Sequence, residues 1–68
     1  MTLGPEELRH LRVNVAELRV HELAAEASVP ASAILAAEAG TLVLDPERES
    51  RIYAAIDARV RVLSGEEP

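Results

Sequence analysis

The chain has 68 residues, 49% of them hydrophobic, which is enough for one small domain (1–68) and too apolar for a disordered chain. Twelve acids face seven cations, all arginine, for a formal net charge of −5, so bulk charge supplies no attraction for phosphate. With no cysteine, a disulfide framework and a thiolate metal site are excluded.

The first start signal is Gly4-Pro5-Glu6-Glu7: proline suits the first helical position, and acids suit the positive end of the helix dipole. Leu8, Leu11, Val15 and Leu18 then recur at helical spacing. No Gly or Pro occurs from 6 to 29, so punctuation alone allows one helix over 5–27. A break near Val13-Asn14-Val15 is favoured instead, because two β-branched residues flank an Asn that tolerates left-handed geometry. Both readings stand at this point.

Ser28-Val29-Pro30 is a clearer break, since proline disfavours helical geometry at the residue before it and fits the first turn of the next helix. Ser28 or Val29 falls in the cap region, and Ser is the better capping residue. The next helix spans about 30–39 and stops at Gly40. Thr41-Leu42-Val43-Leu44 is an apolar connection too short to make a sheet. Asp45-Pro46-Glu47 opens a last helix over about 46–64, with Ile52, Ile56, Val60 and Leu63 as its stripe and Ser64-Gly65 as its end. Glu66-Glu67-Pro68 is expected to fray. The expected fold is all-α and compact, with four or five helices. Its core of Ala, Val, Leu and Ile, with Tyr53 the one aromatic, is thin, and thin cores favour self-association.

One segment carries a finer pattern. A helix-turn-helix needs a Leu-Ala pair inside its first helix, a small residue and a β-branched plug at the turn, and an aliphatic residue about five positions later. Leu23-Ala24, Ala27, Ser28, Val29 and Ile34 fill those roles in order, with Ala37 a turn beyond, placing the unit at about 19–40. This stretch resembles the phage-repressor-like (Xre, Cro/C1-type) helix-turn-helix family. Leu18-Arg19-Val20-His21-Glu22-Leu23-Ala24 matches the family's approach to helix 2. Ser28-Val29-Pro30 stands at its turn, and Ile34, Glu38 and Gly40 match its third helix and end. Pro46 and Ile52-Tyr53-Ala54-Ala55-Ile56 look like the segment that closes its core, so the likeness runs over roughly 6–57. It implies a lambda-repressor-like domain that binds double-stranded DNA as a dimer, with Glu38 in a structural position.

The departures point elsewhere. The family opens helix 2 with Ser or Thr and then Gln, where this chain has Arg19 and Val20. Its third helix exposes basic and amide side chains, whereas Pro30, Ala31, Ser32, Leu35, Ala36 and Ala39 are the expected outward positions here. Only Ser32 among them can hydrogen-bond a base edge. No cation occurs between Arg19 and Arg48, so phosphate positioning is poorly served as well. An Ala-rich surface is in part simply a stable helix. With Leu42, Val43 and Leu44, Leu35 also makes an apolar patch of the kind that marks protein interfaces, although Leu42 and Leu44 can equally turn inward.

Two functions follow from these residues. The first is a small transcription-regulation-type protein that acts mainly through protein contacts, with DNA reading weak or lost, and with a protein partner or a second copy as a homodimer. It would use Leu35, Ala36, Ala39 and Val43, and Val60 and Leu63 at the end of the last helix. The second is a double-stranded DNA-binding regulator that uses Arg19, Ala31, Ser32, Leu35 and Ala36. Arg9, Arg12 and Arg19 are either a modest phosphate edge or, more commonly for scattered arginines, partners of Glu6, Glu17 or Glu22. His10 and His21 lack metal-site spacing, and no catalytic constellation occurs, so no enzyme, metal, cofactor or small-molecule substrate is expected. No apolar run reaches membrane-spanning length and no leader pattern occurs. The expected location is the cytoplasm.

Overall fold

A computed structural model describes residues 4–65, and every regular element among them is helical. Helix α1 (Pro5–His10) continues into a wider π-helical segment (Leu11–Val15), followed by α2 (Val20–Ala27), α3 (Ala31–Glu38) and α4 (Pro46–Leu63). The expected fraying of 66–68 lies outside the described residues.

Helix α1 begins as its sequence demands: Gly4 is extended, Pro5 takes the first turn, and Leu8 N–H donates to the Gly4 carbonyl at 2.9 Å. Residues 5–27 form two helical stretches, and the break comes directly after Val13-Asn14-Val15, over 16–19, with no left-handed step at Asn14. Those residues sit in the π segment, and Asn14 stays helical with Nδ2 3.1 Å from His10 Nδ1. The chain turns at Glu17, whose φ of 54° is left-handed, at a cost on the order of 1–2 kcal/mol. Wide hydrogen bonds hold that turn: Ala16 N–H donates to Leu11 O and Leu18 N–H to Arg12 O, both at 2.8 Å. Widening rotates the following residues about the axis, so Ala16 enters the core and Val15 is left 37% exposed. The expected stripe therefore holds at Leu8 and Leu18, is partial at Leu11, and fails at Val15.

Helix α2 starts with Glu22 Oε1 accepting the Arg19 N–H at 2.8 Å, the backward half of a capping box. It ends at Ser28, which is left-handed with φ 56°, and Val29 N–H donates to Ala24 O at 3.1 Å. That is a Schellman-type end. Ser28 thus terminates α2 and does not cap α3, as its type had suggested. The left-handed step turns Val29 into the core and leaves Pro30 as the last non-helical residue, its carbonyl accepting from Ala33 and Ile34 N–H. Helix α3 closes the same way at Gly40 (φ 81°), with Gly40 N–H on Ala37 O and both Thr41 N–H and Oγ1 on Ala36 O. A Cβ on Gly40 would meet Pro5 Cγ at an ordinary 3.6 Å, so the left-handed φ is what asks for glycine there. Asp45 Oδ1 accepts Arg48 N–H at 2.8 Å and caps α4 as expected.

The core joins Leu8, Leu18, Leu23, Val29, Ile34, Ile52 and Ile56 with Ala16, Ala27, Ala33 and Ala37. Helix α2 packs on α3 and α4, α1 packs on α3, and the π segment meets α4, where Arg59 Nε donates to Ala16 O at 3.4 Å. Helix α4 has 18 residues and α2 and α3 eight each, so its last turns outrun their cover. Its stripe is buried at Ile52 and Ile56, partly covered at Val60, and open at Leu63, which is 44% exposed.

Candidate interaction surface

The inner edge of α3 is fixed by charge as well as packing. Arg12 Nε donates to Glu38 Oε2 at 2.6 Å and NH2 donates to Oε1 at 2.9 Å, while NH1 donates to the Leu18 carbonyl at 3.0 Å. The two side chains are only 12% and 7% exposed. This bidentate pair satisfies the part-buried carboxylate and ties the π segment to the end of α3. The hydrogen bond to Glu38 holds the Arg12 guanidinium above its usual pKa, burial opposes it, and the carboxylate's charge adds to it. Arg12 therefore pairs with an acid 26 residues away, not with a local one, and its donors are directed away from any outside phosphate. Glu38 occupies the structural role that its position suggested.

The other cations are dispersed. Arg51 pairs with Glu47 at 3.2 Å and Arg61 with Asp57 at 3.3 Å, both exposed pairs four residues apart on α4, worth about 0.3–0.5 kcal/mol each. Arg9 and Arg19 are exposed, and among the described residues neither forms a side-chain ion pair. His10 and His21 are exposed, and no group of three His, Asp or Glu suited to a metal ion occurs among the described residues. No helix among them is long and apolar enough to cross a membrane.

The outer side of α3 looks different. Pro30, Ser32, Leu35 and Ala39 are exposed, and Ala31 and Ala36 are half-buried. Leu35 is 50% exposed and lies one turn before Ala39, so helical spacing puts both on one side. In the following loop Val43 is 81% exposed and Leu42 38%, while Leu44 turns in against the core. Gly40, Leu42, Val43 and Leu44 join Gly4, Pro5 and Ala37 around a cleft of about 360 Å³. A broader hollow beside it is lined by Gly4, Pro5, Glu6, Glu7, Glu38 and Ala39. Four of the expected contact residues, Leu35, Ala36, Ala39 and Val43, thus lie on or just after α3. The other two, Val60 and Leu63, lie on the last turns of α4.

Sequence reading did not single out Val62, which is 50% exposed at the end of α4, or Gly4 and Pro5 as walls of the cleft. Neither has a local signal: Val62 is out of phase with the stripe, and the cleft joins segments more than thirty positions apart. Partial burial, with the carboxylates of Glu7 and Glu49, raises the pKa of Tyr53 on α4. Comparison of the chain with family models, curated proteins and solved structures finds no match.

Proposed function

We propose that this chain is a small helix-turn-helix regulatory protein of the phage-repressor-like type, non-catalytic and cytoplasmic. In it α2 and α3 supply the two-helix unit, and the outer face of α3 meets protein in place of DNA. Burial supports the frame: Leu23, Ala27, Val29, Ile34 and Ala37 are buried and Ala24 is partly so. The observation that carries the protein-contact reading is the surface of α3 and its loop, where Leu35 and Val43 are exposed and no cation occurs from 20 to 47. A duplex reader needs cations to neutralise phosphate and polar side chains to read base edges. Leu63 and Val62 at the open end of α4 supply a second apolar surface, suited to a homodimer contact.

The second reading is a dimeric reader of double-stranded DNA. Exposed Arg19 at the start of α2 and exposed Ser32 on α3 favour it, with Ala31, Leu35 and Ala36 beside them in the groove. Leu35→Arg and Val43→Arg test the first reading directly. Because both positions are exposed, the fold should survive. Light scattering coupled to size exclusion should then show an altered oligomeric state or loss of a co-purifying partner. Behaviour identical to the parent in both respects would count against a contact surface at α3.

A further inference from the structure

We infer that the cleft between the start of α1 and the loop after α3 docks a basic amphipathic polypeptide segment, an aliphatic anchor flanked by Lys or Arg. The inference rests on the reading that this face meets protein, and it names the chemistry of the partner. The floor and walls of the cleft are Pro5, Ala37, Gly40, Leu42 and Leu44, with Val43 standing 81% exposed at its edge. Such a lining takes an aliphatic side chain and offers no side-chain donor or acceptor.

Among the described residues, the charged side chains that line the adjoining hollow are all acidic. Glu6 and Glu7 line it together with Ala39. Among the described residues neither carboxylate has an ion-pair partner. Glu38 lies there too, but Arg12 neutralises it. Arg9 lines a further hollow with Glu6, His10, Val13 and Asn14 and does not line the cleft itself. The residues from 20 to 47 contribute no cation to either space.

Charge then decides the occupant. Nucleic acid would bring phosphates against unpaired carboxylates, and a second copy would bring its own Glu6 and Glu7 on a chain of net charge −5. A basic segment relieves the same repulsion that opposes those two.

The test is a ¹⁵N chemical-shift titration of the whole chain with a synthetic Leu/Lys amphipathic peptide at low salt, with a Leu/Glu peptide as control. The expected result is saturable shifts confined to Gly4–Glu7 and Ala39–Leu44, with none from the acidic peptide. Glu6→Gln and Glu7→Gln should each weaken binding by about two- to fivefold, the scale of one exposed charge pair. Val43→Ser should weaken it about tenfold, the scale of burying one valine, with an unchanged far-ultraviolet circular dichroism spectrum. Three outcomes overturn the inference: no binding, shifts spread equally over Glu26, Glu47 and Asp57, or concentration-dependent shifts at the same cleft without peptide. Duplex DNA titrated in parallel separates the two ideas. Shifts at Ala31–Leu35 with DNA would remove the protein-contact reading itself, whereas silence to both DNA and peptide would remove only the docking partner.

Discussion

Ile34 and Leu35 are neighbours in sequence and isomers in composition, yet Ile34 is fully buried and Leu35 is half exposed. One step along a helix turns the side chain by about 100°, and on α3 that step separates two chemistries. The inward side, Ala33, Ile34, Ala37 and Glu38, is bound to α1, α2 and the core by packing and by one bidentate ion pair. The outward side, Ser32, Leu35 and Ala39, is exposed, and among the described residues none of these side chains forms a hydrogen bond or ion pair. The fold therefore demands the first set and leaves the second free to be read by something else. The same aliphatic types occur on both sides, so composition alone does not tell a core residue from a contact residue.

The largest test of this division is Arg12→Ala. It leaves the nearly buried Glu38 carboxylate unpaired and removes a donor from the Leu18 carbonyl. We expect a loss of about 3–5 kcal/mol in urea denaturation, enough to unfold much of a domain this small. The paired Arg12→Met/Glu38→Met variant should recover most of that loss. A cost for Arg12→Ala below about 1 kcal/mol would mean that the pair behaves as a surface bridge and that the inner edge is loosely held.

Ile34→Ala and Leu35→Ala sharpen the contrast at adjacent positions. Cavity formation at Ile34 should cost about 2–5 kcal/mol, while Leu35→Ala should stay within about 0.5 kcal/mol. Equal costs in the same urea series would erase the distinction between the two sides of α3.

Much of this fold was legible in the chain because its signals are local. Pro5, Pro46 with Asp45, and Gly40 mark ends by backbone chemistry that needs no tertiary context, and the starts of α1 and α4 and the end of α3 fall where those residues put them. The break before α2 falls just after Val13-Asn14-Val15, but its left-handed residue was not legible, because the π segment shifts the helical phase and a glutamate, not Asn14, takes the turn. Ser28 carried a capping residue's identity and a terminating residue's geometry, since the need to bury Val29 decides the local conformation. On the surface, the exposed Leu35 and Val43 could be named in advance from helical spacing and loop position. The Arg12–Glu38 tie and the Pro5 wall of the cleft could not, because each depends on how α1 and the π segment lie across α3 and its loop.

We propose that the outer side of α3 presents an apolar surface to protein and reads duplex DNA weakly or not at all. The direct measurement is the fluorescence anisotropy of a labelled mixed-sequence DNA duplex titrated with the intact protein at low salt, then repeated as salt is raised. We predict no rise in anisotropy at protein concentrations up to about 100 µM, the weak end of ordinary non-specific DNA binding. Saturable binding at low salt that falls steeply as salt is added would contradict that proposal and favour the DNA-reading alternative.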